Sequence, residues 1–303
     1  MKKEKKYIQL GKIFKNAFKA WWDKDPFKES SVIAYYSIFS LPGLFVVIVT
    51  LAGLFFGRET VDNHLVSQIT STLGESTAQQ IQNIISNQIN QIRNSVFGTV
   101  VGVVVLLVGA TAVFAQFQKS LNYIWEVQAD KNKSGIWALI KVRLFSFGLI
   151  VSIAFLMMVS LIVSTLLTAF GNWLSTKFSD SMVVFLHILN FIFSLIILTI
   201  LFALMLKIFP DAKIKWKDVW IGSFVTAILF DIGKLGLSLY FGKANPAGPY
   251  GVTGSVILIL LWVSYSSMIV FYGAEFTKEY ANVNSGKVPP TEIAHSKKKK
   301  FLT

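Results

Sequence analysis

The hydrophobic positions of this chain fall into six long, nearly unbroken apolar runs separated by polar segments. A helix that crosses a bilayer needs about 20 predominantly apolar residues, and each run is long enough. The pattern therefore predicts an all-α integral membrane protein with six transmembrane helices. The six runs cover residues 31–56, 96–117, 144–170, 182–206, 219–241 and 252–274.

Two polar segments also show helical periodicity. Near the N-terminus, lysines alternate with an apolar face made of Leu10, Ile13, Phe14, Ala17, Phe18 and Trp21. This face indicates either an amphipathic helix at the inner membrane interface or a cytosolic helix packed on the protein's own loops. In the loop at residues 57–95, one helical face carries Ile81, Ile84, Ile85, Ile89 and Ile92. We expect a second amphipathic helix there, which either covers the outer ends of the bundle or gates a vestibule.

Composition supports the membrane class. Hydrophobic residues make up 53% of the chain and charged residues only 15%, with a mean hydropathy of +0.58. Soluble domains carry about 25% charged residues, so an ordinary soluble fold is excluded. The predicted organisation is a basic segment at residues 1–30, a transmembrane domain at 31–275 and a basic tail at 276–303.

The distribution of positive charge predicts the orientation. Of the 29 Lys and Arg residues, 24 fall in the N-terminal segment, the 118–143 and 207–218 loops, and the tail. Lys and Arg are retained on the cytoplasmic side, so both termini are expected inside the cell. The net charge of +13 then reflects topology and attraction to anionic lipid head groups, and it gives no support to nucleic-acid binding.

Asp231 and Lys234 are oppositely charged residues that lie inside the apolar run at residues 219–241. Three residues apart, they share a helix face, and a lone charge at the centre of a span costs about 2.5–3.5 kcal/mol. Either they mark a polar point in a pathway, or they form an internal ion pair that fixes the register of the bundle. Glu275, at the inner end of the last run, is expected to be an exposed interfacial carboxylate.

Two further features concern the helices themselves. Pro42 should kink or break the first span, because proline cannot donate to the helix ladder. The kink either serves packing or helps to form a site. Gly98, Gly102 and Gly109 lie on roughly one face of the second span and predict close helix packing, which permits a homodimer without requiring it.

Catalytic chemistry is poorly supported. The chain has no cysteine, and His64, His187 and His295 lie on separate segments, so no metal site is predicted. Phosphate-binding, zinc-protease and nucleophile-elbow motifs are missing from the sequence. We therefore expect neither a cofactor nor an enzymatic activity.

Five short motifs occur along the chain: Ala34–Pro42, Leu121–Val127, Phe209–Asp211, Tyr250–Ser255 and Gly273–Phe276. In their order and at about their separations, these motifs resemble the YihY/virulence factor BrkB family over about residues 20–280. The resemblance implies a six-span inner-membrane protein with both termini in the cytoplasm, linked to envelope integrity, serum resistance and export of lipid or lipopolysaccharide. Members have been labelled ribonuclease BN, but the scattered cytoplasmic acids of this chain argue against a nuclease site.

The hypothesis that follows is a transporter-like or flippase-like protein of the cytoplasmic membrane, which moves a lipid, amphiphile or small solute in envelope maintenance. The alternative is a non-transporting scaffold or assembly factor for envelope proteins, and a ribonuclease ranks last. The expected partners are membrane lipids and an unknown lipid or small-molecule substrate. The polar path is predicted to be lined by Ser37, Ser40, Pro42, Asp231, Lys234, Tyr250, Gly251, Thr253 and Ser255.

Overall fold

The protein is mostly helical. The computed structural model describes residues 2–40, 112–129, 180–244, 246, 254–292 and 294–296, with scattered positions between 66 and 83. The longer helices are α1 (Lys2–Trp22), α2 (26–40), α3 (112–124), α4 (Asp180–Ile208), α5 (Trp216–Ala244) and α6 (Gly254–Asn284). Two short strands, β1 (Val127–Ala129) and β2 (Ala294–Ser296), pair antiparallel.

Three of the described helices are long and apolar enough to cross a membrane. Their apolar windows are Phe191–Ile208, Trp216–Phe241 and Val256–Asn284. These windows confirm that the predicted runs at 182–206, 219–241 and 252–274 form long apolar helices. The other three predicted spans lie wholly or partly outside the described residues, so the count of six stays a prediction. The outward faces of α4 and α5 expose Phe191, Ile196, Ile232, Leu235 and Leu239, as lipid-facing sides would.

A reciprocal contact between glycine and threonine brings α5 and α6 together. A Cβ added to Gly222 would overlap the Thr277 side chain, and one added to Gly273 would overlap that of Thr226. Each threonine hydroxyl donates to the carbonyl four residues earlier on its own helix, with Thr226 bonding Gly222 at 2.7 Å and Thr277 bonding Gly273 at 2.6 Å. The two antiparallel helices can approach closely because glycine has no side chain at either crossing point.

Helix α1 packs along the cytoplasm-facing end predicted for α6. Ile13 and Ala17 are buried against Phe276, and Trp21 Nε1 donates to the Met268 carbonyl at 3.1 Å. The predicted N-terminal helix is confirmed, and its apolar face packs on a long helix of the protein rather than on loops. Phe18 is 52% exposed, so part of the aromatic face stays uncovered.

The polypeptide turns sharply between α1 and α2. Asp25 has a φ of 51°, a left-handed conformation that Asp adopts more readily than most residues. Pro26 follows at the first helical position, where its missing N–H leaves no helix bond unmade. The turn places Lys24, just before it, against α6.

The main hydrophobic cluster lies at the end of the helices where α4 stops and α5 starts. It joins α2, α3, α4, α5 and α6 through Ile33, Leu121, Leu206, Val219 and Phe271, all less than 3% exposed. At the same end β1 pairs with β2, and Ala212 bridges to Pro290. Residues from the four lysine-rich segments therefore meet at one end, which the charge distribution predicts to be cytoplasmic.

Two sequence predictions fall largely outside the described residues. Gly98, Gly102 and Gly109 lie there, as do the isoleucines of the outer amphipathic face. The described positions between residues 66 and 83 are helical.

Candidate functional site

Asp231 and Lys234 sit within α5, and both side chains are half-buried. The two residues, although on neighbouring turns of one helix, form no ion pair with each other in the part of the chain that the structure describes. Asp231 Oδ2 is shielded from solvent and has no hydrogen-bond partner among the described residues. The opposite charges of Asp231 and Lys234 interact through space. They do not form an ion pair with each other, so the contact that would fix the register of the bundle is not made within the described chain.

The helical period places Asp231 away from the contact with α6. Nine residues separate it from Gly222, which is two and a half helical turns at about 3.6 residues per turn. Asp231 thus lies opposite the glycine–threonine crossing, whereas Gly233 faces Tyr265 of α6. A polar partner for this carboxylate would therefore have to come from outside α6.

The remaining residues of the predicted path are placed only in part. Ser37 and Ser40 are buried in α2, and the Ser40 hydroxyl donates to the Ser37 carbonyl at 3.2 Å. Within the described chain, no hydrogen bond or ion pair joins these serines to Asp231 or Lys234. Pro42, Tyr250, Gly251 and Thr253 lie outside the described residues, and Ser255 lies in the first turn of α6.

A second set of polar side chains is better defined and was missed by the sequence analysis. We call it the polar layer: Lys24, Glu29, Ser120, Asn122, Glu126, Asp211, Glu275 and Lys278. Its centre is an ion pair between Lys24 and Glu275 Oε1, 251 residues apart, with Lys24 also donating to the Ile124 carbonyl at 3.0 Å. The prediction that Glu275 is an exposed interfacial anchor is wrong, because its side chain is 0% exposed.

The environment of Lys24 balances opposing effects. Burial lowers the pKa of the Lys24 ammonium, while the negative charge of Glu275 opposes that shift. The ammonium also lies 5.7 Å from the centre of the Tyr123 ring, within cation–π range. Breaking such a buried pair by removing one partner typically costs about 3–5 kcal/mol, because the other charge is left uncompensated.

Two further pairs flank this centre. Lys278 contacts Glu126 at 2.8 Å, and Glu126 follows α3 with a left-handed φ of 55°. For a side chain other than Gly, Asn or Asp this conformation is uncommon, and here it directs the chain from α3 into β1. On the other side, Glu29 of α2 accepts hydrogen bonds from Ser120 at 2.6 Å and from Gln116 at 3.2 Å.

Asp211 ties the α4–α5 loop to α3. Its carboxylate accepts from Asn122 Nδ2 at 2.7 Å and from Gln118 Nε2 at 3.3 Å, and its backbone N–H donates to Asn122 Oδ1 at 2.7 Å. The Asp211 carbonyl accepts from Thr291 in the tail at 2.9 Å. One residue thereby fastens three segments of the predicted cytoplasmic face.

A small cleft opens onto the Lys24–Glu275 pair. Its walls are mainly apolar, with Trp21, Tyr123 and Phe271 among them, and Glu29 and Ser120 contribute polar groups. Glu275 Oε2 is shielded from solvent and has no hydrogen-bond partner among the described residues. One residue that lines the cleft therefore has a buried carboxylate oxygen without a hydrogen-bond donor among the described residues.

The signal for this layer was present in the sequence. Three of the five family-like motifs meet there, through Asn122 and Glu126, through Asp211, and through Glu275. The motifs carry the family resemblance, but their spacing along the sequence does not show that Glu126, Asp211 and Glu275 belong to one site. In the described part of the chain, no three His, Cys, Asp or Glu side chains lie close enough to hold a metal ion.

Comparison with known proteins gives consistent matches. The family model described as Virulence factor BrkB matches residues 17–298. A UPF0761 membrane protein of Saccharophagus degradans is 26% identical over 281 residues, 90% of this chain and 60% of that protein. One of Pseudoalteromonas atlantica is 25% identical over 246 residues, covering 81% and 78%.

A UPF0761 membrane protein of Yersinia pestis is 31% identical over 197 residues, which are 64% of this chain and 63% of that protein. The aligned region thus spans less than two thirds of the Saccharophagus and Yersinia proteins. No solved structure matches the chain.

Proposed function

Because the chain belongs to the Virulence factor BrkB family, whose relatives are membrane proteins, we propose that it is a transporter-like or flippase-like protein of the cytoplasmic membrane. It moves a lipid, an amphiphile or a small solute across the bilayer and thereby contributes to envelope maintenance. Uphill movement would draw on an ion gradient or on a partner.

The observation that carries this proposal is the pair of half-buried charges in α5. An isolated charge in hydrocarbon costs about 2.5–3.5 kcal/mol, and mutual pairing would be the simplest structural remedy. Asp231 and Lys234 share a helix but are not paired, and Asp231 Oδ2 has no described partner. Charged side chains that are half-buried and not paired with each other are typical of residues that line a water-filled or substrate-filled path between helices.

The polar layer is the proposed cytoplasmic end of that path. With both termini inside, Lys24 and Glu275 join the α1–α2 turn to α6 at the point where the path would open to the cytoplasm. The exposed Lys12, Lys15 and Lys19 of α1 would attract anionic lipid head groups at this face. A homodimer remains compatible with the proposal.

In this proposal the chain is not a ribonuclease. What supports this is that the acids of the polar layer are engaged in structural contacts: Glu126 with Lys278, Asp211 with Asn122, and Glu29 with Ser120. A nuclease would instead gather carboxylates around a metal or place acid–base groups beside a substrate pocket. No cofactor is part of the mechanism.

The test is lipid movement in vesicles that contain the purified full-length protein and a fluorescent phosphatidylethanolamine. We expect Asp231→Asn to slow transfer of the labelled lipid between leaflets at least about tenfold, which corresponds to a barrier higher by about 1.4 kcal/mol. The expected melting temperature is unchanged. Glu292→Gln is the matched control, because that carboxylate is 89% exposed in a surface pair with Lys213.

Two other outcomes would argue against a transport path at Asp231. If the protein unfolds when Asp231 is neutralised, the residue is structural. If a double replacement of Asp231 and Lys234 by leucine leaves both folding and lipid movement intact, the path proposal fails and the scaffold alternative gains support, since buried charges are often replaceable by well-packed apolar residues.

A further inference from the structure

Glu275 stands out among the ionisable groups because its two carboxylate oxygens have different environments. Oε1 pairs with Lys24, whereas Oε2 is buried without a hydrogen-bond partner among the described residues. Glu275 also lines the cleft that opens beside Lys24. A buried carboxylate oxygen with no donor is costly, so a donor arriving through the cleft would be favourable.

The charges around the cleft are unbalanced. The residues that line the cleft carry two carboxylates, those of Glu29 and Glu275, and one ammonium group, that of Lys24. Outside the lining, Lys278 on α6 stabilises the ionised form of Glu275, whereas Glu279 on the same helix opposes it. Tyr123 is the other titratable group that lines the cleft. The set is short of positive charge beside a low-dielectric core, where charge balance matters most.

A proton fits this deficit better than a metal ion. The ammonium of Lys24 already occupies the position next to Oε1 and would repel a second cation of fixed charge. The described residues also provide no group of three metal-binding side chains. A proton needs only one oxygen with a free lone pair, which Oε2 supplies, and it can approach this shielded atom from the cleft that Glu275 lines.

We propose that Glu275 is the binding site for a proton taken up from the cytoplasmic side, and that binding of this proton breaks the Lys24–Glu275 ion pair of the polar layer during transport. The proposal rests on the transporter-like function stated above and names its coupling ion. A hydronium ion on the cytoplasmic side gives up the proton, so one O–H bond breaks in the hydronium ion and one forms at Oε2, and the carboxylate becomes a neutral carboxylic acid. No other bond is formed or broken.

The consequence is a loss of the charge that holds Lys24. The ammonium keeps its hydrogen bond to the Ile124 carbonyl and its position near the Tyr123 ring, but its counter-ion is gone. The α1–α2 turn is then tied less strongly to α6, and the cleft widens toward the cytoplasm. Deprotonation of Glu275 restores its ion pair with Lys24, and the cleft narrows again.

The proposal can be tested by infrared difference spectroscopy of the full-length protein in phospholipid vesicles, with bulk pH as the only variable. Lowering the pH should produce the C=O band of a protonated, buried carboxylic acid. The band should be missing in Glu275→Gln and retained in Glu29→Gln, a matched change in the same cleft. In Lys24→Met it should appear at a pH higher by about 1–3 units, because an opposite charge at this range favours ionisation by that amount.

Two results would overturn the proposal: a titrating band that persists in folded Glu275→Gln, or no buried carboxylic acid at any pH at which the protein stays folded. If Glu275→Gln does not fold, Glu275→Asp replaces it. A displaced band then assigns the proton to position 275, and an unchanged band assigns it elsewhere. A band at Glu275 without lipid movement refutes transport but not the proton site, whereas lipid movement without the band refutes only the proton site.

Discussion

Asn122 and Asp211 show how single residues hold the polar layer together. The amide of Asn122 both donates to the Asp211 carboxylate and accepts from the Asp211 backbone N–H, each at 2.7 Å. Asp211 is 8% exposed, so water cannot readily replace either bond. Hydrogen bonds to a charged, poorly solvated group are worth about 1.5–3 kcal/mol.

This pairing predicts a rescue by exchange. We expect Asp211→Asn to lower the free energy of unfolding by about 1–3 kcal/mol, because two amide donors would then face each other. Asn122→Asp should lower it by a similar amount, because two carboxylates would then lie side by side and repel each other. The double exchange restores a donor opposite each acceptor and should recover at least half of the loss. Denaturant titration of the four proteins in detergent measures this coupling. Strictly additive losses would show that the two side chains do not interact.

At the scale of helices, the contact between α5 and α6 depends on four small residues, two glycines and two threonines. Gly222 and Gly273 each leave room for the threonine of the opposite helix, and the threonines satisfy their own hydroxyl groups within their own helices. Close backbone approach adds van der Waals contact, which drives helix association where lipid removes the hydrophobic effect.

A single methyl group should therefore separate these helices. Gly222→Ala places a Cβ within bonding range of Thr277 Oγ1, and we expect a loss of about 1–3 kcal/mol, typical of overpacking. Gly236→Ala on the same helix is the matched control, because nothing lies within 4 Å of its added Cβ. That control should gain about 0.5–1 kcal/mol from helix propensity. Equal stability of the two variants in reversible unfolding experiments would rule out the close contact.

The helices and their contacts differ in how far sequence could predict them. The apolar windows of α4, α5 and α6 were predicted because membrane insertion is a local property of about 20 consecutive residues. The glycine–threonine crossing was not, since small residues four apart are common and their partner helix is not encoded locally. Glu275 was placed at the interface from its position at the end of a run. Only the fold brings Lys24 to it across 251 residues.

At the scale of the whole molecule, the lysine-rich segments form one face. The tail strand β2 pairs with β1 after α3, the tail also bonds the α4–α5 loop, and Lys24 joins the N-terminal segment to α6. These contacts require the four segments to share one side of the membrane. The charge bias predicts that this side is the cytoplasmic one, because Lys and Arg are translocated poorly.

The chain contains no cysteine, so single cysteines can report this topology without background. We expect cysteines that replace Lys12, Lys213 or Ser296, all at exposed positions, to react with a membrane-impermeant maleimide only after the cell membrane is opened. A cysteine replacing Lys243 should react in intact spheroplasts, because Lys243 lies near the far end of the 29-residue helix α5, about 40 Å from its start. Labelling of all four positions from one side would contradict α5 as a spanning helix. If only the cysteine at position 243 requires opening of the membrane before it reacts, the orientation is the reverse of the predicted one. Glu275 would then take up its proton from the opposite side of the membrane.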